Sequence, residues 1–221
     1  MSDLITLTEP RSAVAEAYRG LRTNLAFARP GTRVRSLLVT SPAPDAEKAE
    51  VLANLAVVEA QAGRRVIVVD CDLRRPAQHL RFGLPNDQGL STTLAGEADF
   101  AALPLQATGV PGLSVLTAGP TPPNPAELLG AGRMAELIGY LVEQADLVLF
   151  DAPPVIAVTD AAVLAPQLDG CLLVLAAGRS RRDHTEQARE TLDKVGASLL
   201  GVVLTGVEPD RSAYGSYGSE A

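Results

Sequence analysis

The chain of 221 residues has no tryptophan, four tyrosines and four phenylalanines, so aromatics make up only 4% of it. That is too few for the stacking platforms that hold single-stranded nucleic acids. Positive charge is also in deficit: 19 basic against 26 acidic residues leave a net charge of −7, which argues against a nucleic-acid partner bound by bulk charge. No apolar run reaches the length of a membrane span. The opening MSDLITLTEP lacks the basic-then-apolar order of a secretory signal. The two cysteines, Cys71 and Cys171, sit beside or inside apolar runs and read as buried thiols in a reducing compartment. His79 and His184 have no partners at metal-ligand spacing, which argues against zinc, and no G-x-S-x-G motif suggests a hydrolase. These absences point to a soluble cytoplasmic protein. Lysine is scarce as well. Only Lys48 and Lys194 stand among the 19 basic residues, so the place of a lysine carries information.

What is present is a composition of 47% hydrophobic and 20% charged residues, enough for one domain with a full core. Short β-branched runs alternate with longer helical stretches. Strands are expected over Val34–Thr40, Arg65–Asp70, Leu113–Ala118, Leu147–Asp151, Cys171–Ala176 and Leu200–Thr205. Helices are expected over Ala13–Ala28, Glu47–Ala62, Pro125–Gln144, Asp160–Ala165 and Asp183–Val195. VIVVD, LVLFD, CLLVLA and LGVVLT are almost continuously apolar, as strands covered on both faces are. The pattern predicts a doubly wound α/β fold with a mainly parallel sheet, over residues 1–207. The remainder, 208–221, is polar and Gly/Ser-rich and reads as a flexible tail.

Ligands of such sheets bind beyond the carboxyl ends of the strands. Three stretches fall there: Ser41–Lys48, Asp70-Cys71-Asp72 and Asp151-Ala152-Pro153-Pro154. A lysine-bearing loop beside two acidic strand ends is the layout of a nucleotide site with Mg²⁺. Asp70 and Asp72, at i and i+2, leave a strand on the same side and suit a hard cation or a hydroxyl to be deprotonated. The plainer alternative makes Asp72 a turn cap and Asp70 the partner of an arginine.

Four segments carry a resemblance. VIVVDCDLRRP (66–76) resembles the Walker A′ motif of the bacterial tyrosine kinases, and LVLFDAPPV (147–155) resembles their Walker B motif. PPNPAELL (122–129) is similar to a stretch of the same family, and Glu16, Arg19 and Arg22 match its E-x-x-R-x-x-R oligomerisation motif. The resemblance implies a P-loop NTPase-like fold related to ParA and MinD. It also implies ATP and Mg²⁺ as cofactors and a cytoplasmic place beside a membrane polysaccharide co-polymerase, in exopolysaccharide or capsule export. By the same resemblance Lys48, Asp70 and Asp72 are the catalytic candidates, and Asp70 and Asp151 the Mg²⁺ candidates. Lys48, Asp45, Glu47, Ala49 and Thr205 line the nucleotide site, Tyr214 and Tyr217 are phosphoacceptors, and Glu16, Arg19 and Arg22 make a homo- or hetero-oligomer.

The phosphate loop departs from the family pattern S-x-x-P-G-x-G-K-[ST]-T, reading Ser41-Pro42-Ala43-Pro44-Asp45-Ala46-Glu47-Lys48-Ala49-Glu50. The lysine is kept. Both glycines are acidic, and the Mg²⁺-binding hydroxyl is Ala49. A phosphate loop aims backbone N–H groups and a helix N-terminus at phosphate oxygens, and glycine lets the backbone come close. Asp45 and Glu47 add side chains and negative charge there, each like-charge pair costing about 1 to 4 kcal/mol at about 4 Å. Such carboxylates can also occupy the anion site themselves. Where the family has an asparagine facing adenine, this chain has Leu204-Thr205-Gly206. The reading is therefore a pseudokinase or regulatory subunit with weak or no ATP binding. An active tyrosine autokinase and a ParA/MinD-like positioning scaffold are the alternatives.

Overall fold

The structure, a computed structural model, describes residues 4–29, 31–44, 47–96 and 99–207. Seven strands form one sheet in the order β3-β4-β2-β5-β1-β6-β7. Six of them run parallel: β1 (Ser36–Thr40), β2 (Val66–Asp70), β4 (Leu113–Leu116), β5 (Leu147–Asp151), β6 (Gly170–Ala176) and β7 (Leu199–Thr205). The two-residue β3 (Gln106–Ala107) pairs antiparallel with the outer edge of β4. The parallel, doubly wound sheet is the one expected. The antiparallel edge is not, since two residues are too short for any periodicity.

Period-two alternation along each central strand sorts its side chains between two cores. Leu38, Ile67, Val69, Val148, Phe150, Cys171 and Leu173 face one helix layer. Leu37, Val39, Val66, Val68, Leu147, Leu149, Leu172 and Val174 face the other. The second core is closed by α1 (Ile5–Thr8), α2 (Ala13–Phe27) and α3 (Lys48–Gln61). α3 is buried from Val51 to Ala60, which is why VLANLAVVEA is apolar on every face but for Asn54 and Glu59, which bond to Thr6 and Arg64, and is free of glycine and proline. It ends where Gly63, at φ 84°, turns the chain back toward β2. Between β2 and β4 lie α4 (Gln78–Phe82) and α5 (Leu90–Ala95), both too short to be legible in the sequence. The first core is closed by α5, α6 (Pro125–Gly130), α7 (Gly132–Gln144), α8 (Asp160–Leu164) and α9 (Arg182–Lys194). The helix expected over Pro125–Gln144 is two helices. Ala131, at φ −70° and ψ 151°, is extended between Gly130 and Gly132, and this breaks the run.

The order places β1 between β5 and β6. From β1 the chain proceeds outward one way to β2 and the other way to β6 and β7. The crevice at the carboxyl ends of β1, β5 and β2 is thus the topological switch point.

Candidate functional site

Register builds this crevice. Asp70 and Asp151 are Cα partners at the last rungs of adjacent parallel strands. In β2 the side chains of Val66 and Val68 face the α3 layer, and in β5 those of Leu147 and Leu149 do. Asp70 and Asp151 continue those rows, so both carboxylates point under the N-terminus of α3, where Lys48 begins the helix. The Lys48 ammonium donates to Asp151 Oδ1 at 2.8 Å and to Asp72 Oδ2 at 3.0 Å. All four side chains are buried.

Each carboxylate is further satisfied. Asp70 accepts from the backbone N–H groups of Asp72, Ala77 and Gln78 at 3.2, 2.9 and 2.9 Å. Asp72 Oδ1 accepts from Arg75 N at 3.0 Å. The Gln78 amide nitrogen donates to Asp151 Oδ2 at 2.7 Å and to the Ala49 carbonyl at 3.1 Å, which ties α4 to both β5 and α3. The plain turn-cap role weighed for Asp72 is thus combined with an ion pair to Lys48. Asp70 pairs with backbone rather than with an arginine. Burial, and next the charge of Asp151, push the Asp70 carboxyl up to about 8, against the backbone donors of Gln78 and Ala77 and the charge of Lys48. Burial works to lower the Lys48 pKa, but the charges of Asp151 and then Asp72 outweigh it and hold the ammonium above its ordinary value.

Above this cluster lies a cavity of about 510 Å³ whose lining includes Lys48, Asp72, Glu47, Arg74, Arg75 and Arg81. Arg74 is held there by a two-pronged bond to Asp160, Nε at 3.0 Å and Nη2 at 3.1 Å, and the Asp160 side chain is fully buried. Ala49 contributes no oxygen from its side chain. Glu47 reaches across the loop mouth to the guanidinium of Arg179. Among the described residues no group of three acidic, histidine or cysteine side chains is arranged to hold a metal.

The other sequence-derived site residues lie apart. Thr205 ends β7, where its hydroxyl donates to the Leu175 carbonyl at 3.3 Å. It lines a separate cavity of about 480 Å³ between α2 and β7, with Tyr18, Glu50, Leu204 and Val207, and Glu47 borders both cavities. Burial, then the nearby charge of Glu50, push the Tyr18 hydroxyl up to about 12. On α2, Arg19 pairs with Glu16 and also donates to the Pro10 carbonyl at 2.7 Å, while Arg22 donates to the Val58 carbonyl of α3 at 3.2 Å. Asp45, Tyr214 and Tyr217 lie outside the described residues. Sequence reasoning quoted LRRP without giving its arginines a role, and it missed Gln78, Arg179 and Asp160. Position signalled Arg74, Arg75 and Gln78, which closely follow an acidic strand end, but nothing in the sequence marked Arg179 or Asp160.

Fold and cleft together define a P-loop NTPase-like α/β protein. MinD of Pyrococcus furiosus superposes with a TM-score of 0.67 at 27% identity, over 81% of this chain and 78% of that one. No family model matches the chain. It is, however, 40% identical over 219 residues to the tyrosine-protein kinase YwqD of Bacillus subtilis, covering 99% of this chain and 92% of that protein. The kinase domain of the Escherichia coli tyrosine kinase ETK superposes with a TM-score of 0.88 at 36% identity, over 94% and 81% of the two chains. The chimerical protein CapA2B2 does so with a TM-score of 0.86 at 40% identity, over 91% and 88%. The chain belongs to the bacterial tyrosine-protein kinases.

Proposed function

We propose that this family member is a regulatory subunit of exopolysaccharide or capsule export whose nucleotide site binds ATP and Mg²⁺ weakly or not at all. The observation that carries the reading is the N-terminus of α3. Two bonds of the Lys48 ammonium go to Asp72 and Asp151, the next residue offers only a methyl group, and the residue before it brings a carboxylate to the cavity. These residues do not fit a nucleotide polyphosphate. A phosphate chain needs a free cation here and its magnesium an oxygen ligand; the first N–H groups of α3 carry no side-chain cap, but Lys48 is engaged by two carboxylates and residue 49 offers no side-chain oxygen. Asp45, from its place in the sequence, adds a further negative charge. The partner under this reading is a membrane polysaccharide co-polymerase, with Glu16 and Arg19 on the exposed face of α2 available to an oligomer.

Calorimetric titration of the full chain with Mg-ATP tests the reading. Each like-charge contact costs about 1 to 4 kcal/mol, so a site of about micromolar affinity, near −8 kcal/mol, that loses about 4 kcal/mol falls to about millimolar. The variant Asp45→Gly/Glu47→Gly/Ala49→Thr, which rebuilds the family pattern, is expected to bind at least tenfold more tightly. Micromolar binding by the unaltered chain would sink the proposal. It would favour the second reading, an active autokinase using Lys48, Asp70, Asp72 and Asp151 on Tyr214 and Tyr217, which is supported by the gathering of those four side chains in one crevice.

A further inference from the structure

A third cavity, of about 520 Å³, lies at the opposite edge of the sheet, at the amino ends of β1 and β5. It is roofed by the last turns of α2 and the end of α3. Its floor and walls are apolar: Leu25, Val34, Leu37 and Leu147 line it. Three guanidiniums, Arg22, Arg33 and Arg64, share the lining with one carboxylate, Glu59.

The hydrogen bonds leave this guanidinium set with donors to spare. Arg64 pairs with Glu59 at 2.9 Å and donates to the Asp146 carbonyl at 2.8 Å, yet its Nε is buried with no acceptor. Arg22 gives one bond, to the Val58 carbonyl at the end of α3. Arg33 makes no hydrogen bond among the described residues; it is exposed at the rim, near the Asp146 carboxylate that Arg65 holds at 3.6 Å. Arg64 neutralises Glu59 and Arg65 neutralises Asp146, so Arg22 and Arg33 are in excess. The carbonyl ends of α2 and α3 take up part of that excess, but they are partial charges against two full ones. In a chain of net charge −7, a local positive surplus around an apolar pocket of ligand size is a specific feature.

We infer that this cavity binds an amphipathic anion, an apolar body carrying a phosphate, sulfate or carboxylate head. The body lies on Leu25, Val34, Leu37 and Leu147, and the head meets the spare donors of Arg22 and Arg33. Guanidinium is the group that pairs with such heads two bonds at a time. The site is remote from the acidic crevice, because α3 separates them by its length, about 21 Å for 14 residues. Binding here is therefore independent of whether ATP binds.

Decyl phosphate below its micellar concentration is the probe, titrated calorimetrically into the full chain, with decyl maltoside as the uncharged counterpart and inorganic phosphate as the headgroup alone. Decyl phosphate is expected to bind at least tenfold more tightly than either. Two variants test the two halves of the site. Arg33→Glu changes an exposed side chain with no hydrogen bond to lose, and Ala26→Trp fills the cavity from the exposed end of α2 without touching a charge. Each is expected to weaken binding tenfold or more while leaving the thermal midpoint near that of the parent. Vesicles containing phosphatidylglycerol identify the source. Capture of the parent but not of Arg33→Glu assigns a lipid headgroup, and no capture alongside tight decyl phosphate binding assigns a free small molecule. Equal binding of decyl phosphate by the parent and both folded variants, or no preference over decyl maltoside, overturns the proposal.

Discussion

Replacing Lys48 with methionine separates a structural from a ligand-directed role for the buried cluster. Methionine keeps the length and apolar stem of the side chain but removes its charge. Asp72 Oδ2 and Asp151 Oδ1 then lose their cation in a site where Lys48 is 8% exposed and Asp151 is 0% exposed. Removing one member of a buried ion pair costs about 3 to 5 kcal/mol, because the partner's charge stays behind without compensation. Taking about 3 kcal/mol, and about 2 to 4 °C per kcal/mol for a chain of this size, the midpoint should fall by roughly 6 to 12 °C at pH 8.5. The deficit depends on pH with a definite sign. Without the ammonium, the Asp70 carboxyl, already pushed up to about 8, loses a charge that holds it down and rises further, and its protonation relieves repulsion in the cluster. The loss should therefore shrink steadily as pH falls toward 5.5. The double variant Lys48→Met/Asp72→Asn should recover at least about 1 kcal/mol at pH 8.5, since the two residues are directly coupled. Circular dichroism melts over this pH range are the assay. A change within about 0.5 kcal/mol at pH 8.5, the range of an ordinary surface substitution, would refute the reasoning and leave Lys48 as a side chain waiting for a ligand.

Asp70→Asn should change the pH dependence of stability in the parent's favour at low pH only. The folded carboxyl holds its proton up to about 8 and the unfolded one releases it near 3.8, so the parent's stability falls as pH rises between those values and levels off above them. The variant lacks that slope, of up to about 1.4 kcal/mol per pH unit, and parallel urea-unfolding curves for the two proteins from pH 5 to 8 would contradict it. For assembly, Arg19→Ala should lower the mass measured by light scattering at concentrations where the parent self-associates, and an unchanged mass there would take Arg19 out of the interface.

The sheet was legible because its strands are buried on both faces, so Val66–Asp70 and Leu147–Asp151 had to be apolar up to their final aspartates. Their place at the carboxyl ends of neighbouring strands made the convergence of Asp70, Asp151 and Lys48 readable in sequence, whereas the shared face of the two aspartates follows from the register of β2 and β5. The short elements were not readable. α4 and α5, five and six residues long, are defined by tertiary anchors: the Gln78 amide on Asp151 and the Leu90 N–H on the Thr117 carbonyl. Neither bond leaves a periodic trace in sequence. The division at Ala131 was visible only as two glycines flanking an alanine, a pattern that helices also tolerate. Arg22 shows a different limit. Its spacing from Glu16 and Arg19 sets it on the same helix, but a long side chain can reach sideways, and its bond to Val58 depends on how α2 crosses α3.

The geometry also changes how much the acidic residues say about catalysis. In a nucleotide site, aspartates at these strand ends serve magnesium and a reacting hydroxyl. Here each has work that needs neither. Asp70 holds three backbone N–H groups and so fixes the segment from Asp72 to Gln78. Asp151 holds Lys48 on one oxygen and Gln78 on the other, and Asp72 holds Lys48 and the Arg75 N–H. A buried donor left without its acceptor costs about 1 to 3 kcal/mol, so losing any one of these carboxylates would loosen the junction of β2, α3 and α4 whether or not a phosphate ever enters. The loop residues are different. By the family pattern, glycine at 45 and 47 and a hydroxyl at 49 serve a bound polyphosphate and its metal, and α3 begins here with Glu47 exposed before it and Ala49 in its first turn. Under the reading proposed above, the cluster keeps its aspartates and lysine because folding still requires them, while nothing requires the cradle.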